Sequence, residues 1–140
     1  MGFRTDFRAG CKDVLDTYSA ANPTLLPHVY DYPPESFNTP CAYVEKAVTE
    51  TYRHTSGLRQ RVARVNVVIV NKLVSNDQAT DEQDVLLDGL IDAFTADPHA
   101  AGATTLLEPV GATDTELEAS GTRYAGAVLT IEGSIQEGRA

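Results

Sequence analysis

The chain has 140 residues, with 11 Lys and Arg against 20 Asp and Glu and a formal net charge of -9. This length fits one domain, and an apolar share of 42% favours a buried core over a disordered chain. The acidic balance argues against general binding to the nucleic-acid backbone, which requires clustered Lys and Arg.

An amphipathic helix is predicted over residues 3–20, where apolar side chains recur at three- and four-residue steps. Asn22-Pro23 ends it, because the residue before a proline is pushed out of the helical region. A proline-rich crossing follows over residues 22–41, in which residues 28–32 could form one short strand. Its aromatic residues favour a packed crossing over a flexible linker: Tyr30, Tyr32 and Phe37.

Two strands are predicted over residues 41–54 and 58–70, with a turn at Gly57. The second has one apolar face, formed by Ala63, Val65, Val67 and Ile69. Its other face begins polar and ends apolar, in the order Arg64, Asn66, Val68 and Val70. Such a change from polar to apolar side chains is expected where a strand leaves the interior of the sheet and meets the rim of the sheet or a neighbouring part of the structure.

A second helix is predicted over residues 78–96, where Thr80 and Gln83 match a capping box. The final predicted pair of strands, residues 104–118 and 123–135, is joined by a turn at 119–121 and followed by a polar tail at 136–140. In the order helix, strands, helix, hairpin, strands and helices do not alternate as they do in βαβ folds. This order predicts one α+β domain over residues 1–140, with an antiparallel or mixed β-sheet, two helices packed on one face and a C-terminal β-hairpin.

Common patterns of catalytic and cofactor sites do not occur in the sequence. There is no Gly-rich phosphate loop, no GxSxG elbow and no HExxH. The two cysteines form no CxxC pair, Cys11 is interpreted as a small buried apolar residue, and the three histidines are scattered singly. We therefore predict no enzymatic activity, no metal and no cofactor. The alternative is a small enzyme or ligand-binding domain, with His28, Asp31 and His54 as first candidates.

The sequence contains no stretch near the roughly 18 apolar residues of a membrane span. Its beginning, Met1 to Arg4, is not followed by the apolar run of a signal peptide. We therefore expect synthesis in a cytoplasm-like compartment and no membrane partner.

The most regular charge pattern is acidic. Five aspartates recur at three- and four-residue steps, which places them on one helix face: Asp77, Asp81, Asp84, Asp88 and Asp92. This stripe is either a solvated helix face or an electrostatic surface, the latter being an interface or a wall that repels DNA. A ladder of divalent metal ions is disfavoured, because Ca²⁺ sites usually need loop carbonyls as well.

The basic counterpart is Arg59, Arg61 and Arg64. Strand alternation places Arg59 and Arg61 on one sheet face and Arg64 on the other. They are either solvated or paired with the aspartates of an adjacent subunit, because arginine forms bidentate contacts with carboxylates. On charge alone, the candidate residues of a subunit interface or lumen are Asp81, Asp84, Asp88, Asp92, Arg59, Arg61 and Arg64.

Several features taken together carry a resemblance to a known family. They are an opening helix Phe3 to Tyr18, the segment Thr39-Pro40-Cys41-Ala42-Tyr43-Val44 after the crossing, the charged-then-aliphatic strand Arg61 to Val70, the acidic helix Asp84 to Phe94, and a closing strand around Arg123-Tyr124. This layout, which covers most of the chain, resembles the tail terminator proteins of long-tailed, siphovirus-type bacteriophages.

The resemblance implies an antiparallel sheet flanked by helices and a homo-hexameric ring in the neck of the virion, assembled in the host cytoplasm. Such a ring caps the completed tail tube, stops tube polymerisation and offers a docking face to the head connector. Its implied partners are other copies of the chain, the tail tube protein and the head-closure protein, while DNA passes through the centre. The family has no catalytic residues to carry over. A head-closure protein, an adaptor or a tail tube subunit stays open as an alternative.

Overall fold

The computed structural model describes residues 2–31, 33–34, 37–55, 57–73, 77–100, 105–119 and 121–138. Two helices and five strands follow in the order α1 (Phe3–Ala21), β1 (His28–Tyr30), β2 (Cys41–Thr55), β3 (Leu58–Leu73), α2 (Asp77–Ala96), β4 (Thr105–Ala119) and β5 (Thr122–Gly138). The α+β prediction is confirmed, with small shifts of the element ends.

The five strands form one mixed sheet in the order β1-β2-β3-β5-β4. The short β1 runs parallel to β2, and every other neighbouring pair is antiparallel. Both predicted hairpin turns contain a glycine at positive φ, Gly57 at +79° and Gly121 at +78°, a conformation that other residues adopt only at a cost. Within the predicted polar tail at 136–140, residues 136–138 pair with the start of β3 and continue β5, and residues 139–140 lie outside the described residues.

Both helices pack on the same face of the sheet, as predicted. The main core joins α1 side chains such as Phe7 and Leu15 to α2 side chains such as Leu90 and Phe94, over sheet residues that include Val67. These side chains are fully buried. The periodic apolar residues of the two helices therefore supply one continuous core with the sheet. Neither described helix combines the length and the apolar character that crossing a bilayer would require.

A second, smaller cluster lies on the opposite face of the sheet. It contains the buried residues Cys41, Tyr43, Val68 and Val70, with Phe37 of the proline-rich crossing packed against them. The crossing is therefore packed at Phe37, and it covers the apolar end of β3, which explains the polar-to-apolar change along that strand. Tyr32, predicted to take part, lies outside the described residues.

The predicted capping box at Thr80 and Gln83 is wrong. The helix begins at Asp77, so Thr80 lies inside the first turn rather than at the N-cap. Gln83 is 5% exposed, and its side-chain nitrogen donates to Asp114 Oδ1 and to the carbonyl oxygen of Gly126. Gln83 therefore makes tertiary hydrogen bonds to the sheet.

Candidate functional site

The acidic stripe lies on the outer face of α2. Helix α2 turns Gln83, Leu86, Leu90 and Phe94 towards the sheet, where they are buried. Asp81, Asp84, Asp88 and Asp92 are all exposed, so they point away from the sheet; the side chain of Asp77 lies outside the described residues. Among the described side chains, no Lys or Arg forms an ion pair with these four aspartates. Val85, 56% exposed, lies within the same face.

The three arginines of β3 do not form a single surface. The Arg59 guanidinium lies 5.8 Å from the ring centroid of Tyr52. Arg61 lies on the helix-covered face, whereas Arg64 lies on the opposite face, where its Nε contacts Glu132 at 2.9 Å. The predicted alternation therefore agrees with the structure. The interface role of these residues stays a prediction.

Glu50 holds Arg61 and Arg4 together under the N-terminus of α1. One carboxylate oxygen accepts from Arg61 at 2.6 and 2.9 Å, and the other accepts from Arg4 Nε at 2.8 Å. The Glu50 side chain is only 8% exposed. Burial by itself would raise the pKa of Glu50, but the hydrogen bond and charge of Arg61, and then the charge and hydrogen bond of Arg4, outweigh it and lower that pKa below its ordinary value.

Sequence reasoning missed this cluster, although a signal was present. Glu50 pairs with Ala63, whose side chain belongs to the helix-covered core, so Glu50 occupies a core-facing position of β2. A carboxylate at a core-facing position requires a cationic partner. Arg61, two residues from Ala63 on the same face of β3, is within reach.

A groove beside α1 has three cationic side chains in its lining. It has a volume of about 520 Å³ and is lined by Arg8, Ala9, Lys12, Asp31, Val44 and Lys46. Lys12 Nζ lies 2.9 Å from Asp16 and 3.1 Å from Asp31, which raises the pKa of Lys12, chiefly through the hydrogen bond to Asp16. Three cationic side chains thus meet one carboxylate in the lining.

The groove lies where β2 is irregular beside α1. Between Val44 and Val48 the strand leaves its register with β3. Arg8 donates to the carbonyl oxygen of Lys46 at 2.8 Å, and Arg4 donates to that of Val48 at 3.2 Å. Two α1 side chains therefore satisfy backbone acceptors at this irregularity, which would otherwise need water.

The three residues considered for an enzymatic site are not brought together. His28 pairs with Cys41 at the start of β2 and stacks on Tyr30 with ring centroids 6.3 Å apart. His54 lies thirteen residues further along β2, roughly 40 Å away at the usual rise of a strand. Asp31 is bound to Lys12. The described residues also contain no group of three or more His, Cys, Asp or Glu that could hold a metal ion.

Charge is divided unevenly between the two halves of the fold. Residues 1–73 contain nine Lys and Arg against seven Asp and Glu, whereas residues 74–140 contain two against thirteen. The sheet order places β1, β2 and β3 on one side and β5 and β4 on the other, with α1 contacting the first group and α2 packing on β3, β5 and β4. One flank of the domain is therefore close to neutral with a basic groove, and the other is strongly acidic.

Comparison of the sequence with protein-family models and with curated proteins finds no match. Two charged surfaces are therefore the candidate functional surfaces, the acidic outer face of α2 and the basic groove beside α1.

Proposed function

We propose that this protein is a structural subunit that forms a ring on the completed tail tube of a long-tailed bacteriophage. The ring ends tube polymerisation, offers a docking face to the head connector and lets DNA pass through its centre. The observation that carries the proposal is the charge division between the two flanks of one sheet. Opposite charges on opposite flanks suit a head-to-tail contact, which closes into a ring when the rotation between copies allows it.

The resemblance of the whole-chain layout to tail terminators supports the specific role and a copy number of six. The net charge of -9 supports it as well. A passage through a ring of strongly acidic subunits repels phosphate, so DNA slides through without stalling. The ring belongs to the neck of the virion and assembles in the host cytoplasm, with the tail tube protein and the head-closure protein as partners.

Native mass by light scattering over a concentration series, with negative-stain images of the same samples, tests this proposal. We expect a discrete species near six subunits, seen as rings. Growth without limit would contradict the proposal. If the chain stays monomeric, preformed tail tubes are added as a template. Rings at the tube ends would then support the proposal, and a failure to bind the tubes would overturn it.

A second candidate is another neck or tail component: a head-closure protein, an adaptor or a tube subunit. The same charge division favours it, because a head-to-tail contact that does not close generates an open polymer. Mixing the protein separately with tail tubes and with head connectors distinguishes the two. Binding to connectors alone, or continuous stacking into tubes, would favour the second candidate.

A further inference from the structure

We propose that the acidic outer face of α2 in one copy docks on the basic groove beside α1 in the next copy. In this contact Asp84, Asp88 and Asp92 of one copy meet Arg8, Lys12 and Lys46 of its neighbour. The inference rests on the proposed ring and assigns its subunit interface, with a second copy of this chain as the occupant of the groove.

Two of the three arginines of β3 already have carboxylate partners within the same copy. Arg61 is held at 2.6 Å by the nearly buried Glu50, and Arg64 is held by Glu132 on the opposite face of the sheet. Arg8, by contrast, donates to a backbone carbonyl, which leaves its charge uncompensated by that contact. Lys12 is itself paired with Asp16 and Asp31, so the three cations of the groove face two nearby carboxylates. Lys46 is exposed on the irregular part of β2. The groove is also concave, so it can surround a convex helix face.

The spacing of the charges matches between the two surfaces. Arg8 and Lys12 lie four residues apart on α1, which is about 6 Å along a helix. Asp84, Asp88 and Asp92 follow the same four-residue interval on α2. Two helices that present cations and carboxylates at equal intervals can form several ion pairs at once, which single surface charges cannot.

The apolar parts of the two surfaces match as well. Val85 is 56% exposed and lies one turn from both Asp81 and Asp88 on the outer face of α2. Ala9 and Val44 also line the groove, and Val44 is 6% exposed. Val85 of one copy can therefore contact Ala9 and Val44 of the next copy. Burial of the Val85 side chain in this contact adds to the electrostatic attraction.

The position of the two surfaces on different flanks of the sheet favours a ring over a symmetric dimer. In a two-fold dimer both surfaces of one copy would meet the same neighbour, whereas in a ring they meet two different neighbours. Each copy offers one acidic face and one groove on different flanks of the sheet, so every copy accepts two neighbours.

Charge reversal tests the contact through two exposed residues, Asp88→Lys on the acidic face and Lys46→Glu in the groove. We expect each single variant to raise the concentration or the tube-end density needed for ring formation by about tenfold or more, because attraction becomes repulsion. The double variant exchanges the signs of the two charges, so the contact is attractive again and rings should form. An equimolar mixture of the two single variants should also form rings, in which the variants alternate.

Matched controls carry the same charge change elsewhere. Glu118→Lys reverses an exposed glutamate on β4, and Arg53→Glu reverses an exposed arginine on β2. Both should assemble like the wild type. Thermal unfolding of every variant shows whether the fold is kept. Salt titration is a weaker test, because salt screens the attraction between patches and the general repulsion between acidic copies together.

Failure of this interface is distinguishable from failure of the proposed function. If the wild type forms rings and neither single variant weakens them, the interface assignment is wrong and the ring stands. The interface assignment is also wrong if neither the double variant nor the mixture forms rings again. It is wrong too if Arg64→Glu is the one reversal that abolishes assembly. If the wild type forms no ring alone or on tube ends, the proposed function itself is overturned.

Discussion

Gln83 on α2 donates a hydrogen bond to the carbonyl oxygen of Gly126 on β5, with 2.9 Å between nitrogen and oxygen. The same nitrogen lies 3.0 Å from Asp114 Oδ1 on β4. A buried amide without partners would cost about 1–3 kcal/mol. The satisfied amide instead fixes the position of α2 on the sheet, and with it the direction of the acidic outer face.

Gly126→Ala should destabilise the fold by about 1–3 kcal/mol, because the added methyl group overlaps the backbone carbonyl oxygen of Ile69 and lies 2.6 Å from a Leu117 methyl. Gly111→Ala in the neighbouring strand is the matched control, since a Cβ there meets no atom within 4 Å. We expect the control to stay within about 0.5 kcal/mol of the wild type. Urea unfolding measures both. Equal effects of the two substitutions would refute the packing explanation.

Glu50→Gln should lower the free energy of unfolding by about 1–2 kcal/mol at pH 7, because two arginines lose their shared carboxylate. The folded-state pKa of Glu50 is lowered, so its stabilising contribution is present above the ordinary glutamate pKa. That contribution is lost as the pH falls through the lowered folded-state value.

The difference between wild type and Glu50→Gln should therefore shrink as the pH falls below about 4.3. Urea unfolding at a series of pH values from 7 to 3 measures it. Glu118→Gln, at an exposed position of β4, serves as a control with little effect at any pH. A difference that stays constant down to the lowest pH would show that Glu50 acts by packing and not by its charge.

The two thiols should be unreactive in the folded protein. Cys11 lies in the helix-covered core and Cys41 in the cluster on the opposite face, and both are free. Burial raises the pKa of each thiol to about 12, so almost none is thiolate at pH 8. Ellman's reagent should label no thiol in the native protein and both in urea. Thr51→Cys places a thiol at an exposed site and should label at once. Fast labelling of the native wild type would contradict the burial.

Phe37→Ala should loosen the proline-rich crossing and leave the main core intact. Phe37 stacks on Tyr43 with centroids 6.3 Å apart and meets Tyr124 edge-on at 5.2 Å. We expect a loss of about 2 kcal/mol, since Phe37 is half-buried. Tyr52→Ala, at a 51% exposed aromatic residue, should cost less than about 1 kcal/mol.

Limited proteolysis of the two aromatic variants locates the change. Cleavage within residues 22–41 should accelerate in Phe37→Ala and remain unchanged in Tyr52→Ala. Cleavage that accelerates throughout the chain would show instead that Phe37 supports the whole fold.

Local patterns were sufficient for most secondary structure and for the faces of the strands. The three- and four-residue recurrence of apolar side chains predicted α1 and α2, and alternation along β3 correctly separated Val67 from Val68. These properties depend on neighbours within a few residues, which the sequence states directly. The exposure of Asp88 follows from the same periodicity, because it lies on the face opposite Leu86 and Leu90.

The sequence by itself therefore determined the elements, their buried faces and the acidic stripe. Only the tertiary structure decided that β5 pairs with β3, that Gln83 bonds to the sheet rather than to its own helix end, and that Glu50 joins Arg4 and Arg61. It also decided that the basic groove and the acidic face belong to different flanks. The reason is physical: these relationships join residues that are distant in sequence, so they depend on which strands pair and which helix covers them. No local periodicity contains that information.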